Sequence, residues 1–428
     1  MGNKRRSEDS KARELVHPHP DWTPAEAQAA RIPGLHRRRE LKMARDPHAY
    51  VRGSTERFYD WLTTQDGRSI PQGPTVWICG DAHAGNLGPI ARCDERVVVE
   101  LRDLDQSVRG NPAHDLVRLA LSLAMAARSS VLPGVVTALL MEELMSGYLE
   151  AFARPHDESV PQDSAAVRFV VREALRRKWR HLHRERLGKV PRFPSGNRFL
   201  PLVRAERAAV ESFLDRERVR RLVTRIECRD DDARIRLIDA AYWIKGCSSL
   251  GLWRCAALVE VIGHAHGQGG YSLLDIKQAI LPLAPLASGE VAPRHHGERV
   301  VAGTAALSPA LGKRTLSGSV LDYQVFVREL LPQDLKIELG LLNETEARAT
   351  ARALARVVGL GHARQMDEAS RKSWVRELEH ASSRSLDAPS WLWSSVVELI
   401  GTHERAYLAH CRIHALAAEK ERLQTAAE

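Results

Sequence analysis

The sequence has little cysteine and no long apolar run, and both absences exclude classes of protein. Its six cysteines are scattered over 428 residues and form no Cys-x-x-Cys pair, which argues against a zinc ribbon or a disulfide framework. No apolar run approaches the roughly 20 residues that a membrane-spanning helix needs. The first residues are polar and lack the apolar segment of a signal peptide. We therefore expect a cytoplasmic protein with no membrane span.

Positive charge is in excess. The chain has 63 Lys and Arg residues against 54 Asp and Glu residues, a net charge of +9. Such a balance favours anionic partners in general, including nucleotides, nucleic acids and acidic surfaces. The densest basic stretch, residues 172–198, predicts either a nucleic-acid patch or a basic helix face exposed to solvent. The second interpretation is the simpler one.

Apolar periodicity predicts a mixed α+β fold in four parts. Residues 1–30 are polar and contain several prolines, which predicts a flexible leader. Residues 31–239 predict a helical lobe, residues 240–335 a β-rich lobe, and residues 336–428 further helices that pack on the helical lobe. Within the helical lobe, helices are predicted after Pro112 and at about 134–152, 164–184 and 203–226, with a loop at 185–202.

The β-rich part is punctuated by glycine. Strands are predicted at 252–262, 271–279 and 323–330, and residues 263–270 predict a hairpin loop between the first two. After Glu344 the pattern is helical, with breaks predicted near residues 359–361 and at Pro389. We see no internal repeat.

One strand–loop–strand segment places polar side chains close together. A short apolar run at 76–78 predicts a strand, and the loop after it carries Asp81, His83 and Asn86. A second apolar run at 97–99 leads directly into an acidic pair, Asp103 and Asp105. Carboxylates and an amide in this arrangement can supply a general base and hard oxygen ligands for a metal ion.

These segments resemble known families. The loop Gly80-Asp81-Ala82-His83-Ala84-Gly85-Asn86 resembles the Gly-Asp-x-His-x-Gly-Asn catalytic loop of aminoglycoside and choline kinase-like phosphotransferases. Asp103-Leu104-Asp105 is similar to their metal-binding element, and Pro112-Ala113-His114-Asp115-Leu116 to the turn that follows it. Most of residues 30–370 is spanned by the same loop together with the segments at residues 45–53, 246–251, 275–279, 297–301 and 326–330. Together they resemble the bacterial family called domain of unknown function 2252, whose name implies no activity.

The kinase resemblance implies a role for each polar residue of the segment. Asp81 would orient the acceptor hydroxyl and receive its proton, while Asn86 and Asp103 would bind Mg²⁺ with help from Asp105. His83 is expected to brace the loop. The alternative is that these residues form a hydrogen-bonded turn network without chemistry.

A lysine within an apolar strand is the second signal. Lys277 would be costly to bury without an anion beside it. The resemblance implies that it contacts the α- and β-phosphates of ATP and pairs with a helix glutamate, for which we propose Glu298, on a predicted short helix at 297–307. Alternatively, Lys277 faces solvent on an edge strand. In either case the catalytic loop precedes the lysine strand, so the two lobes of a kinase-like fold would be permuted in sequence.

Further residues have weaker assignments. A turn at 246–251 would cover phosphates with its backbone amides or form a plain hairpin; its candidate nucleotide-binding residues are Gly246, Ser248, Ser249 and Gly251. Arg328 is expected either to contact the nucleotide or to hold a salt bridge between the lobes, and the salt bridge is favoured. Asp115 and Arg52 are expected to support the structure.

The preferred function is ATP- and Mg²⁺-dependent transfer of a phosphate to a small-molecule hydroxyl. Two alternatives stay open. Asp81 and His83 also resemble the start of a metallophosphoesterase motif, and His264 and His266 resemble its end, so these four residues would bind two metal ions that activate water. The other alternative is a kinase-like module that binds nucleotide without catalysis.

Overall fold

A computed structural model of the chain shows a mixed α+β fold. It describes residues 15–64, 69–92, 96–129, 132–157, 159, 161, 163–187, 191–225, 234–262, 270–335, 342–381 and 390–427. Among these residues, no helix is long and apolar enough to cross a membrane. The described cysteines, Cys79, Cys247, Cys255 and Cys411, are free thiols.

Helices form the larger part of the described structure. They are α1 (Pro24–Met43), α2 (Pro47–Gly53), α3 (Thr55–Leu62), α4 (Pro112–Arg128), α5 (Val135–Ala153), α6 (Ala165–Arg176), α7 (Trp179–Arg186), α8 (Arg204–Leu214), α9 (Glu217–Arg225), α10 (His296–Leu307), α11 (Pro309–Gly312), α12 (Glu344–Ala363), α13 (Glu368–His380) and α14 (Ser390–Ala427). The strands are β1 (Val76–Ile78), β2 (Leu87–Ala91), β3 (Val97–Leu101), β4 (Val108–Gly110), β5 (Phe199–Pro201), β6 (Arg234–Trp243), β7 (Arg254–Ile262), β8 (Gly270–Gln278), β9 (Thr315–Val320) and β10 (Tyr323–Leu330).

Six strands form one antiparallel sheet in the order β5-β6-β7-β8-β10-β9. The central strand β7 is almost continuously apolar because both faces of the sheet are covered. Its alternate residues enter two different cores: Cys255 and Val259 pack with the side chains of α8 and α9, whereas Ala256 and Leu258 pack with Phe193 and its neighbours. Two small sheets, β1–β4 and β2–β3, lie next to the helical core.

Several predicted boundaries are corrected by the structure. Helix α1 begins at Pro24, inside the predicted leader, because Thr23 and Glu26 form a capping box. The helices predicted at 164–184 and 203–226 are each two shorter helices, and β5 lies within the predicted loop at 185–202. The predicted hairpin loop at 263–270 lies, apart from Gly270, outside the described residues, although β7 and β8 do pair as a hairpin would.

Strands β6 and β9 are not predicted from the sequence. The first half of β6 alternates arginine with aliphatic residues and is only partly buried, so its apolar signal is weak. β9 is a polar edge strand of six residues. Both strands depend on pairing with stronger neighbours, β7 and β10.

The basic stretch forms contacts within the protein. Arg176 pairs with Glu173 at 3.1 Å, and Arg177 pairs with Glu185 at 2.6 Å while also donating to a backbone carbonyl. Arg186 lies over the ring of Trp243, 5.8 Å from its centroid. These contacts favour the simpler interpretation of residues 172–198, and a role in binding nucleic acid stays a prediction.

Helix α12 runs without interruption through residues 359–361, where the sequence predicts a break. The glycines are needed there for close packing. A Cβ at Gly359 would lie 2.7 Å from the Cβ of Ala151 on α5, and a Cβ at Gly147 of α5 would overlap the carbonyl oxygen of Arg352 on α12. The two helices approach each other backbone to backbone, and this contact joins segments about 200 residues apart in the sequence.

Gly147→Ala should therefore destabilise the protein, whereas Gly401→Ala should not. The added methyl at Gly147 meets backbone that cannot move aside, so we expect a loss of about 1–3 kcal/mol or more in the free energy of unfolding. Gly401 is an exposed helical position with open space around it, so alanine there should add up to about 1 kcal/mol. Urea denaturation of both variants tests this; equal stability would contradict the packing described for α5 and α12.

Candidate functional site

The loop after β1 is fixed by a carboxylate from the start of helix α4. Asp115 accepts hydrogen bonds from the backbone N–H groups of Cys79 at 2.6 Å and Gly80 at 3.0 Å. Gly80 has φ +74°, and a Cβ there would overlap the carbonyl oxygen of Gln106. The chain can therefore turn at this point only with glycine. The predicted supporting role of Asp115 matches these contacts.

Asp115 is itself held by a buried chain of side chains. His362 Nε2 lies 3.1 Å from Asp115, and its Nδ1 lies 2.9 Å from the hydroxyl of Tyr148, which accepts the indole N–H of Trp374 at 3.2 Å. All four side chains are at most 1% exposed. The loop is therefore held by side chains from four helices, α4, α5, α12 and α13. His362 links Asp115 to Tyr148 in this network.

Asp81 is ion-paired with an arginine that the sequence analysis does not single out. Its Oδ1 accepts hydrogen bonds from Arg118 on α4 and, at 3.0 Å, from the hydroxyl of Thr55. Arg118 is completely buried, with its guanidinium over the ring of Phe58 and a bond to the carbonyl of Val51. An arginine within an apolar helix was the available signal, because a buried guanidinium requires an anionic partner. Within the described part of the chain, the side-chain hydrogen bonds of Asp81 use Oδ1, which leaves Oδ2 for a further ligand.

Asn86 holds the start of the acidic pair in place. Its Nδ2 donates to the backbone carbonyl of Asp103 at 2.6 Å, and its Oδ1 accepts the backbone N–H of Asp103 at 2.6 Å. The amide oxygen predicted to bind Mg²⁺ therefore already accepts one hydrogen bond, and its role as a metal ligand stays a prediction. The contact joins the loop after β1 to the end of β3.

Lys277 reaches the acidic pair from the large sheet. Its Nζ lies 2.5 Å from Asp105 Oδ2 and 3.4 Å from Asp103 Oδ1, across a sequence separation of more than 170 residues. Strand β8 lies between β7 and β10, and the lysine is 3% exposed, so the alternative of a solvent-facing edge lysine is wrong. Burial alone would lower the pKa of Lys277, but the charges of Asp103 and Asp105 outweigh it and raise that pKa above its usual value.

The two aspartates of the pair have different environments. The Asp103 side chain is 56% exposed and that of Asp105 is 16% exposed. Desolvation opposes ionisation of Asp103, yet the nearby cations, Lys277 first, hold its pKa below the usual value. Desolvation and the charge of Asp103 together raise the pKa of Asp105 despite the pairing with Lys277. Asp103 is therefore the more accessible carboxylate of the pair and the one whose ionisation is favoured.

A second ion-pair group lies in the same sheet. Asp275 binds Arg254 through two hydrogen bonds, of 2.7 and 2.5 Å, and Lys245 lies 3.4 Å away. Arg328 donates to the backbone carbonyl of Arg102 at 2.6 Å, which connects the large sheet to the residue before Asp103. The predicted salt bridge of Arg328 between lobes is thus a side chain–backbone bond, and contact with a nucleotide stays a prediction.

The glycine turn at 246–251 is bound by helix α1. Gly246 and Gly251 have φ values of +98° and +106°, and their carbonyl oxygens accept hydrogen bonds from Lys42 at 2.5 Å and Gln28 at 2.7 Å. Ser249 is buried and Ser248 is exposed. The turn therefore has a defined support, and its assignment to phosphate binding stays a prediction.

Glu298 does not pair with Lys277. It is exposed on α10, and in the described part of the chain the ion pairs of Lys277 are those with Asp103 and Asp105. The residue of α10 that faces the site is Arg299, which donates to the carbonyls of Asp105, at 2.7 Å, and Ser107. The helix thus supplies a cation that binds the backbone of the acidic loop, while the carboxylates of that loop bind Lys277.

Of the remaining predicted residues, two lie at the Asp81 loop and two lie outside the described residues. The backbone carbonyl of His83 accepts the backbone N–H of Asn86 at 2.8 Å, and a bracing role for the His83 side chain stays a prediction. The guanidinium of Arg52 lies close to Gly85, next to the same loop. His264 and His266, which the hydrolase alternative requires, lie outside the described residues.

The ion-pair group of Asp275 predicts a pH dependence of stability. Although burial raises its pKa, Arg254 and Lys245 hold the Asp275 pKa far below the usual value, so the pair stabilises the fold above about pH 4 and this stabilisation is lost as the pH falls. Asp275→Asn should cost about 3–5 kcal/mol at pH 7. The difference from wild type should shrink by about 1.4 kcal/mol per pH unit below pH 4.

Urea denaturation between pH 7 and pH 3 measures this difference, with Asp322→Asn as the control because Asp322 is exposed in the turn between β9 and β10. If the free energies of unfolding of wild type and Asp275→Asn fall in parallel as the pH is lowered, the Asp275 ion pair is not the cause of the acid sensitivity.

Comparison with known proteins identifies a family. Residues 31–413 match the model of the family described as "Uncharacterized protein conserved in bacteria (DUF2252)". No curated protein and no solved structure matches the chain. The match covers most of the chain, including every residue of the site described above, and the protein therefore belongs to the bacterial family domain of unknown function 2252.

Proposed function

We propose that the protein is an ATP- and Mg²⁺-dependent phosphotransferase that acts on the hydroxyl of a small molecule, with a kinase-like arrangement of permuted lobes. One observation carries the proposal: a buried strand lysine, Lys277, meets the acidic pair Asp103 and Asp105, which follows the Asp81 loop. A lysine and a metal-binding aspartate at one point are what a phosphotransferase needs to hold the phosphates of ATP.

The residues present suit a magnesium ion. Mg²⁺ is usually bound by one or two carboxylates together with substrate phosphates and water, and Asp103 offers an exposed, ionised carboxylate. The charges of Lys277, Arg254 and Arg328 all act on Asp103, so the surroundings suit polyphosphate as well. When bound, Mg²⁺ would neutralise charge on the transferred phosphoryl group.

Asp81 has the properties of the acceptor-orienting group. Its ion pair with Arg118 fixes the carboxylate, and Oδ2 is left to accept a hydrogen bond from a substrate hydroxyl. The same ion pair disfavours the hydrolase alternative, because a carboxylate already bound to a guanidinium is a poorer ligand for a metal ion. Catalysis by this protein would therefore depend on positioning and on charge, as in other phosphoryl transfers.

Binding of ATP with Mg²⁺ should stabilise the folded chain. At a hundredfold excess over the dissociation constant, mass action gives about 2.7 kcal/mol. Asp103→Ala should remove most of the magnesium-dependent part, and since Lys277 keeps its closer partner Asp105 at 2.5 Å, the fold should tolerate the change. Thermal melts with ATP, with and without Mg²⁺, measure this. If no nucleotide moves the melting temperature under either condition, the protein does not bind ATP and the proposal is wrong.

Asp81→Asn should separate catalysis from binding. It keeps the shape of the side chain but removes the carboxylate that orients the hydroxyl, so in the folded variant affinity for ATP–Mg²⁺ should stay within a few-fold while turnover falls by roughly 10²–10⁴. Because buried Arg118 loses its anionic partner, the variant should also lose about 3–5 kcal/mol of stability, and both constants are measured at a temperature where it is folded. ADP release in the presence of a panel of hydroxyl compounds is the measurement, and Asp322→Asn serves as the control.

Three results would count against this role of Asp81 or favour another function. Unchanged turnover would exclude Asp81 as the acceptor-orienting group. Loss of a stoichiometric transition metal from Asp81→Asn, and equally from His264→Ala, would instead support the hydrolase. A wild-type protein that binds ATP–Mg²⁺ but turns over no acceptor would favour the non-catalytic module.

A further inference from the structure

Two histidines on the C-terminal helix face a glutamate of the first helix. His410 and His414 are four residues apart on α14, so they lie on one face of the helix. Glu40 on α1 points to the same place, and one ligand atom from each of the three residues lies within 4.8 Å of the other two. This cluster is separate from the Asp81 and Lys277 site.

Two distances in the cluster are slightly longer than those between the ligand atoms of a metal ion. His410 Nδ1 lies 3.6 Å and His414 Nε2 lies 3.8 Å from Glu40 Oε2. These separations are too long for hydrogen bonds. Ligand atoms of a tetrahedral ion with bonds of about 2.0–2.1 Å are about 3.3–3.4 Å apart, so a small closing movement would complete the coordination.

The orientation of His410 is that of a metal ligand. Its Nε2 lies 2.9 Å from the backbone carbonyl of Glu40, to which it donates, so Nδ1 carries the lone pair and faces the carboxylate. Histidines that bind metals generally donate their other N–H to a carbonyl or carboxylate in this way. The ring also packs against Tyr50, with centroids 5.3 Å apart, and this contact restricts its rotation.

We propose that Glu40, His410 and His414 bind a divalent transition-metal ion, for which Zn²⁺ is the best match. Two imidazoles and one carboxylate are a common ligand set for zinc and leave one tetrahedral position free. Mg²⁺ prefers oxygen ligands and is not expected here.

Such an ion would join the two ends of the chain. Glu40 is two residues before Lys42, whose ammonium binds the carbonyl of Gly246 in the glycine turn. The ion would therefore fix the helix that supports the turn, and it would stabilise the folded protein by mass action. This role is independent of any phosphotransferase activity.

The test uses the full-length protein stripped of metal with a chelator. Titration with Zn²⁺, followed by calorimetry and by elemental analysis after gel filtration, should give one equivalent bound and a higher melting temperature. Mg²⁺ should not compete, and Co²⁺ should give the absorption spectrum of a four-coordinate site with nitrogen and oxygen ligands. A wild-type protein that retains no Zn²⁺ overturns the proposal.

Variants locate the ion. His414→Ala and Glu40→Gln should each weaken Zn²⁺ binding by at least about 100-fold, since even the loss of an outer-shell partner costs 10–100-fold. His380→Ala, which removes an exposed histidine of α13, should bind as wild type does. If His414→Ala does not fold, Glu40→Gln, which keeps the side-chain shape, decides. Zn²⁺ binding unchanged in the folded variants, or lost only in His264→Ala, places the ion elsewhere and overturns the proposal.

Discussion

The buried ammonium of Lys277 is the constraint on which the arrangement of the site depends. A lysine inside a sheet loses its hydration, and only close carboxylates offset that loss. Asp103 and Asp105 provide them, so the loop after β3 must lie against the centre of the large sheet. Arg328, bonded to the backbone just before the loop, and Arg299, bonded to the backbone within it, strengthen the same connection.

Other buried cations of the protein are also paired with a carboxylate. Arg118 pairs with Asp81, Arg254 with Asp275, and a fully buried pair, Arg31 with Glu206, joins α1 to α8. Buried ion pairs add little net stability, because desolvation offsets the attraction, but loss of one partner leaves a buried charge and is strongly destabilising. They therefore fix which elements meet, while the apolar cores and the α5–α12 contact provide most of the favourable burial.

The supports of the site come from widely separated parts of the chain. Asp115 and His362 hold the Asp81 loop from the helical core, and α1 holds the glycine turn from the other side. Helix α14 in turn packs on α1, where Glu40 and the two histidines converge. Helix α1 therefore contacts both the glycine turn and the C-terminal helix.

The sequence by itself determined the local features of the protein. The mixed α+β composition, the helix after Pro112, three of the central strands and the polar loop from Asp81 to Asn86 follow from periodicity and spacing, because neighbouring residues decide them. The partner of Lys277 was decided by tertiary structure: Glu298 was predicted, whereas the acidic pair more than 170 residues away is the one in contact. The pairing of Arg118 with Asp81, the unbroken helix α12 and the cluster of Glu40 with His410 and His414 likewise required the packed structure. Pairing of buried charges and close approach of helices depend on which surfaces meet, and spacing along one chain does not specify that.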